Sequence, residues 1–422
     1  MNSSSIPASI VCSAGGGAFA IPPEIAAAKA AAIANTVAQT EELPLLDAAG
    51  RVLASVPRAV VSIPSFNNSA MDGYAIRARE LTGDGPWILP IAGRIAAGDS
   101  PATHDAGLPA ALRIFTGAIL PLGFDTVVMQ ERCERRGDAV LISHRPRPGA
   151  NVRLAGEDVH QGAALLHTGD MLTPQRLALL AGAGVDMANV FRKVRVALVS
   201  TGSELREPGN VLEPGQIYNS NRVLLRSMLA GCSWAEVHDF GIVADEPARL
   251  RAVIQRAAQH CDVIVTTGGV SAGDEDHVTA AVLDSGGSLE VMKVAMRPGK
   301  PVKIGLVGTT LFAGLPGNSN AALVTFRHIA LPAIRMVAGL ADIKPAWQPA
   351  ISGFTYAKRL NRTEFVPVRI NGRTEAGLPI VEMLGRGGSA NLSAMASADG
   401  IAILPPDDEI IAPGTSLRLD MF

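Results

Sequence analysis

Between residues 194 and 338, short apolar runs alternate with amphipathic ones. "VRVALVS" and "CDVIVTT" are mostly apolar along both faces, as strands are when a sheet is covered on either side. "NSNRVLLRSMLAG" reads as a helix with an Asn or Ser cap and a glycine end, and "PARLRAVIQRAAQH" as a second helix. With "WAEVHDFGIV" as a further strand, the order is β-α-β-α-β. Few folds satisfy it: a parallel sheet with helices packed on both faces. Ligands of such sheets gather at the carboxyl ends of the strands. Here those ends read "STGSEL" (200–205) and "TTGGVSAGDED" (266–276).

In the second tip Gly268, Gly269 and Gly273 permit positive φ and let backbone N–H groups converge on an anion. The loop matches neither the dinucleotide fingerprint nor the P-loop. Asp274, Glu275 and Asp276 follow at once, hard oxygen donors of the kind Mg²⁺ takes beside a substrate phosphate. A glycine turn leading into a solvated acidic helix start is the competing reading. "STGSEL" repeats the pattern, with Gly202 for a sharp turn and Glu204 at the mouth. Asp245, in "GIVADEP", is either a third acid at this rim or the N-cap of the next helix, with Pro247 in its first turn.

"LEVMKVAMRPGKPVKIG" predicts a strand, a Pro-Gly turn and another strand. Lys293, Ala295 and Arg297 have period-two spacing, so both cations leave one face if the strand extends that far. Lys300 and Lys303 add charge nearby in a chain of formal net charge −2, a concentration that suits an anionic ligand. Lysines guarding an exposed sheet edge would look the same. "FAGLPGNSNAALVTF" is a further turn-to-helix junction, with Pro316-Gly317 and then Asn318 or Ser319 as cap, whose amides suit an anion.

Upstream, from about 51 to 165, the runs "AVVSI", "RIFTG", "DTVVMQ" and "AVLISH" between Gly, Pro and Asp punctuation predict a β-rich module. Within it "NNSAMDGYAIRA" (67–78) sets Asp72-Gly73 before a strand-like run. Asp72 is either a chemistry-bearing loop residue on a rigid scaffold or the aspartate of a local Asx turn. Thr116-Gly117, ending another short strand, reads by itself only as a turn. "PEIAAAKAAAIANTVAQ" (23–39) predicts a helix, as does "TPQRLALLAGAGV" (173–185), with Thr173 as N-cap and Gly182 or Gly184 at the stop. Beyond about 343 the pattern is again β with turns.

Length and composition exclude several classes. A chain of 422 residues exceeds one ordinary core and predicts two to four domains. Aromatic residues are only 4%, too few for the stacking platforms of single-stranded nucleic-acid binders, and near-neutral charge supplies no basic field for DNA, RNA or anionic lipid. Cys12, Cys133, Cys232 and Cys261 lie far apart, against a zinc knuckle or a disulfide scaffold. No histidine spacing suits a zinc hydrolase, and Ser203 is not in a nucleophile elbow. The N-terminus lacks a secretory pattern and no apolar run approaches about 18 residues. The expectation is a soluble, cytoplasmic protein without nucleic-acid or membrane partners.

Taken in order, "SFNNSAMDGYAIRA", "RIFTGAILPLGFDTVVMQE", "GANVRLAGEDVHQGAALLHTGDMLTPQRLALLAGAGV", "LVSTGSEL", "GQIYNSNR", "TTGGVSAGDED", "VAMRPGKPV" and "LPGNSN" resemble the molybdopterin molybdenumtransferases, the molybdenum insertases that include the terminal domain of gephyrin. The resemblance covers roughly 60–422. It implies an α/β multidomain fold: a discontinuous helical linker domain (1–50 and 160–193), an elongated β-rich module (51–159), a three-layer molybdopterin-binding domain (194–342) and a small C-terminal β-barrel-like domain (343–422). It also implies the chemistry. Adenylated molybdopterin and molybdate are the substrates, Mg²⁺ assists, AMP is released, and the product passes to apo-molybdoenzymes.

By position, the resemblance makes Glu204, Asp245 and Asp276 site acids and metal ligands, and Lys293 and Arg297 site cations. Asp72 and Thr116 resemble residues that reach the partner's cleft in a homodimer. Thr201, Gly202, Gly268, Gly269, Ser271, Gly273, Lys300, Pro316, Gly317 and Asn318 would cradle pterin and phosphate. Arg362, with Ser389 or Ser393, would lie by the molybdate. Arg297 stands where lysine is common, which turns a point charge into a planar fork. Ser203 and Asn67 stand at frequent acid positions, and Ser319 at a frequent proline. The competing functions are a binding scaffold of similar fold without turnover and a pterin adenylyltransferase; the extra β module and terminal domain argue against the latter.

Overall fold

The computed structural model describes residues 20–100, 109–269, 277–385 and 391–422. They form two compact units. One comprises Gly50–Val52 and Phe191–Phe422 with the segment up to Thr40; the other comprises Glu41–Ala49 and Leu53–Val190.

In the first unit the expected parallel core is built from strands Ala235–Val243, Val194–Thr201, Val263–Thr267 and Thr310–Leu315, adjacent in that order. Val302–Val307 and Ser288–Met292 extend the sheet antiparallel, so it is mixed. Alternate residues supply opposite faces. Val194, Val196, Leu198, Val263 and Val265 join one core with helix Ser220–Ala230 and the helical stretch 319–337. Ala197, Val199, Ile264 and Phe312 join the other with helices Pro247–His260 and His277–Asp284. This is the three-layer arrangement, and it explains why these strands tolerate so few polar residues.

The helix predicted over 23–39 stops at Ala32. Thr36 then donates its hydroxyl to Met336 O at 3.0 Å and Val37 N donates to Val337 O at 2.9 Å. Pairing with a distant segment has replaced the helix over β-branched residues that favour it weakly.

The C-terminal strands Thr363–Arg373, Pro379–Met383, Gln348–Ser352, Ser416–Met421 and Gly400–Leu404 pair in a ring that closes through the first and last. Val366, Val368, Val381, Leu404 and Leu419 fill this five-stranded barrel. Met296–Arg297 adds to the Thr363–Arg373 strand, in parallel register.

The second unit carries a six-stranded sheet of Thr126–Met129, Gly73–Ile76, Ala111–Ile114, Trp87–Ile95, Ala139–Ile142 and Cys133–Arg136. Tyr74 and Ile76 enter one core and Ala75 another, so the "GYAI" strand is covered on both sides. Gly73 lies against strand Thr126–Met129, where a Cβ would run into the carbonyl oxygen of Val128. Gly73→Ala is therefore expected to cost about 3 kcal/mol in urea unfolding, at the upper end of overpacking penalties; an unchanged midpoint would refute that tight fit. Thr173 caps helix Pro174–Gly182 by accepting from Arg176 N at 3.4 Å, and Gly184 follows at φ 82°. "AVVSI" does not form the predicted strand. Val60 N and Val61 N both donate to Ala183 O, and only the isolated bridge Ile63↔Val159 remains.

Candidate active site

The parallel strand tips meet through their backbones. Thr201 donates its hydroxyl to Thr267 O at 3.3 Å, and Gly268 N donates to Leu315 O at 3.2 Å. Gly268 has φ 88°, and a Cβ there would strike the Thr201 carbonyl oxygen, so glycine is what lets these tips approach. A Cβ on Gly317 would lie 3.6 Å from Gly268 Cα. Asn221 donates its side-chain N–H to Gly317 O at 2.6 Å, and the hydroxyls of Ser220 and Ser319 lie 3.0 Å apart. Asn318 holds the cap position of helix Ser319–Thr325. Thr201, Gly202, Gly268, Gly269 and the Pro316-Gly317-Asn318 turn thus line one rim.

Among the described residues, two acids stand on it. The Glu204 carboxylate folds back over Gly202, its Oε2 2.5 Å from where a Gly202 Cβ would sit. Asp245 Oδ2 accepts from Ser203 N at 3.0 Å, and Ser203 Oγ accepts from Asp245 N at 3.2 Å. Asp245 therefore binds the neighbouring tip, and the helix cap position falls to Glu246, without a side-chain capping bond. Ser203 has its own task, which is to fasten Asp245. Ser271, Gly273, Asp274, Glu275 and Asp276 lie outside the described residues.

Among the described residues no three His, Cys, Asp or Glu side chains are grouped to hold a metal unaided. Mg²⁺ usually takes one or two carboxylates and completes its shell with water and phosphate. The exposed Glu204 and half-buried Asp245, on a rim of glycine turns, fit that chemistry.

The cations are arranged differently from the expectation. The strand ends at Met292, and Lys293 follows it, with its carbonyl accepting from Ile21 N at 2.9 Å. Arg297 belongs to the barrel edge. The two cations therefore leave separate elements, because the chain crosses from one sheet to another between them. Lys300 is exposed. Lys303 is 1% exposed and donates to Thr279 Oγ1 at 2.9 Å, so it is an interior residue and adds nothing to a solvated cluster.

Arg297 and Arg362 are brought together by an acid that the motif reading passed over, Glu364. A signal for it was present: an acid two residues from Arg362 on the otherwise apolar "EFVPV" strand, hence on the same face. The hydroxyl of Tyr356 donates to this carboxylate at 3.0 Å; burial foremost, then the bond to Glu364, raises the phenol's pKa above its usual value. Ser389 lies outside the described residues. Ser393 donates to Asn391 Oδ1 at 2.8 Å at the start of a short helix.

In the second unit Asp72 and Thr116 meet. Asp72 Oδ1 accepts from Thr116 N and from Thr116 Oγ1, each at 2.8 Å. The backbone bond first, then the hydroxyl, holds the carboxyl below its ordinary pKa. These bonds span 44 residues, so the side chain is fixed by a neighbouring strand end and does not close a local Asx turn. Asn67 Oδ1 accepts from Ala155 N at 2.8 Å.

Glycine tips bearing carboxylates in a three-layer α/β domain, followed by a closed barrel carrying paired arginines, define a class of protein suited to anionic ligands and a hard cation. Residues 22–184 match the family described as MoeA N-terminal region (domain I and II), residues 197–336 the probable molybdopterin binding domain, and residues 349–419 the MoeA C-terminal region (domain IV). The molybdopterin molybdenumtransferase of Haemophilus influenzae is 36% identical over 388 residues, 91% of this chain and 94% of that protein. The Nostoc protein of the same name is 36% identical, over 89% of this chain and 87% of its own. The crystal structure of a molybdopterin biosynthesis moeA protein from Pyrococcus horikoshii superposes with a TM-score of 0.81, at 26% identity, over 96% of this chain and 100% of that one. The chain belongs to the molybdopterin molybdenumtransferase family, transferases of molybdenum cofactor biosynthesis. No helix among the described residues is long and apolar enough to cross a membrane.

Proposed function

We propose that this chain inserts molybdenum from molybdate into adenylated molybdopterin, with Mg²⁺, and releases AMP. The observation that carries the reading is the reciprocal pair of bonds between Ser203 and Asp245, which sets a second carboxylate beside Glu204 on a rim of glycine turns. Every reactant is an anion, so the site must offer amide dipoles, guanidiniums and a metal together. In this reading the rim receives the pterin and its phosphates, while Arg297 and Arg362 receive the oxyanion. Glu204 and Asp245, with Asp276, would hold Mg²⁺, which when bound withdraws charge from phosphate oxygens as a Lewis acid. The chain acts as a homodimer of four-domain subunits in the cytoplasm, Asp72 and Thr116 serving the partner's cleft, and delivers its product to apo-molybdoenzymes.

Incubation of the purified chain with adenylated molybdopterin, Mg²⁺ and molybdate tests this. AMP release together with activation of an apo-molybdoenzyme is the expected result; tight binding without AMP would turn the reading into that of a scaffold. Asp72→Ala is expected to slow AMP release roughly 100-fold, with the chain still folded and its melting temperature lowered by only a few degrees through loss of the Thr116 bonds. A near-parental rate would remove Asp72 from the reaction.

A further inference from the structure

We propose that Glu364 is a positioning residue that aims Arg297 and Arg362 as one pair at the oxyanion substrate, an inference that rests on the reading above. The parallel register of Met296–Arg297 on the barrel strand sets Arg297 opposite Glu364. The Glu364 side chain is 1% exposed. Its Oε1 accepts from Arg362 Nε at 3.2 Å and also from Arg362 Nη2. Its Oε2 accepts from the Tyr356 hydroxyl at 3.0 Å and lies 3.5 Å from Arg297 Nη1. Arg297 Nη1 in turn donates to the Tyr356 hydroxyl at 3.3 Å.

Two guanidiniums thus converge on one carboxylate, and this cluster keeps a surplus positive charge. The acid is sealed beneath, while 42% of the Arg297 side chain and 22% of the Arg362 side chain face solvent. Each guanidinium has five N–H donors in a rigid fork, more than this contact uses, and the direction of that fork decides what it can bind. Neighbouring Lys358 does not compete for the role: its Nζ donates to the carbonyls of Arg359, Pro406 and Asp408. An arginine at 297 then has a reason. Its fork can rest on Tyr356 and Glu364 while presenting further donors outward.

The test follows AMP release by the full chain with molybdate varied, for the parent, Glu364→Gln, Arg362→Lys and the double variant. Glu364→Gln keeps the shape and an acceptor for Tyr356 but removes the charge that orients the arginines. The expected result is a rise of about tenfold in KM for molybdate with kcat within about threefold. That rise should be largely absent when Arg362→Lys is already present, because coupled residues are not additive. Unchanged KM, loss confined to kcat, or additive effects would overturn the proposal. Tyr356→Phe, which removes one anchor of Arg297 without stranding a charge, covers a Glu364→Gln chain that fails to fold: a smaller rise in KM supports the proposal and an unchanged KM refutes it. If the parent releases no AMP, the transferase reading fails separately. Calorimetric titration of the same four proteins with molybdate then decides: binding about tenfold weaker for Glu364→Gln supports the positioning role, and equal binding ends it.

Discussion

Asp245→Asn is expected to release AMP roughly 100-fold more slowly than the parent chain, the kinetic equivalent of about 3 kcal/mol. Asparagine keeps an oxygen that can accept from Ser203 N, the bond that holds Asp245 against the first strand tip at 3.0 Å. It removes only the negative charge. Asp245→Ala removes both, so the difference between the two variants isolates what the scaffold contact contributes. Glu204→Gln should behave like Asp245→Asn, since its carboxylate stands on the same tip, over Gly202. In both, half-saturation should move to higher Mg²⁺ concentration, and excess Mg²⁺ should recover part of the rate. Parental rates with an unshifted Mg²⁺ dependence would mean that neither carboxylate meets the metal.

The second large effect falls on stability. Asp262 accepts from Arg192 Nη1 and Nη2, each at 2.7 Å, and from Arg195 N at 2.8 Å. Both side chains are 20% exposed. Asp262→Ala removes the carboxylate facing a guanidinium that then keeps only Gln39 Oε1 and the Lys193 carbonyl, frees the Arg195 amide at the base of the parallel sheet, and should lower unfolding free energy by about 2 kcal/mol. Burial alone would raise the Asp262 pKa; the bonds from Arg192 and then the Arg195 amide outweigh it, leaving the group below its ordinary value. The sign of the pH effect follows. The unfolded aspartate takes up its proton near pH 4 and the folded one only at lower pH, so over that interval the unfolded chain binds more protons. The contribution is complete above the unfolded pKa and fades as pH falls through the folded one. Urea titrations should therefore show the full gap between parent and Asp262→Ala at pH 7 and a narrowed gap at pH 3. A gap that is the same at both values would refute the ionic origin.

The β-α-β-α-β alternation, its helix limits and the glycine turns are legible in the sequence itself. Pro247–His260 spans the run "PARLRAVIQRAAQH" from first residue to last, and of the expected Asn or Ser caps it is Asn219 that accepts from Arg222 N at 3.2 Å. These features are local: a cap, a proline at the first turn and an apolar run act over a few residues, so their order along the chain carries the information. Read from its residues alone the C-terminal region shows only strands and turns; its barrel form comes from the family resemblance. Its closure depends on Thr363–Arg373 pairing with both Pro379–Met383 and Gly400–Leu404, and short motifs do not encode such ring closure.

The site divides in the same way. Which residue types it contains, and that glycines and acids coincide at strand ends, could be read directly from "STGSEL" and "TTGGVSAGDED". Their partners could not. Period-two spacing puts Lys293 and Arg297 on one face only if one strand runs through both, but the chain leaves one sheet after Met292 and joins another at Met296. Asp245 was equally a helix cap or a rim acid until its bond to Ser203, 42 residues away, chose between them. Glu364 gained its meaning only from Arg297, which parallel pairing sets beside it. The sequence by itself determined the elements and the chemistry they carry, because propensity, capping and periodicity are short-range. Tertiary structure alone decided which charges meet, because burial and long-range pairing set the partner of each carboxylate.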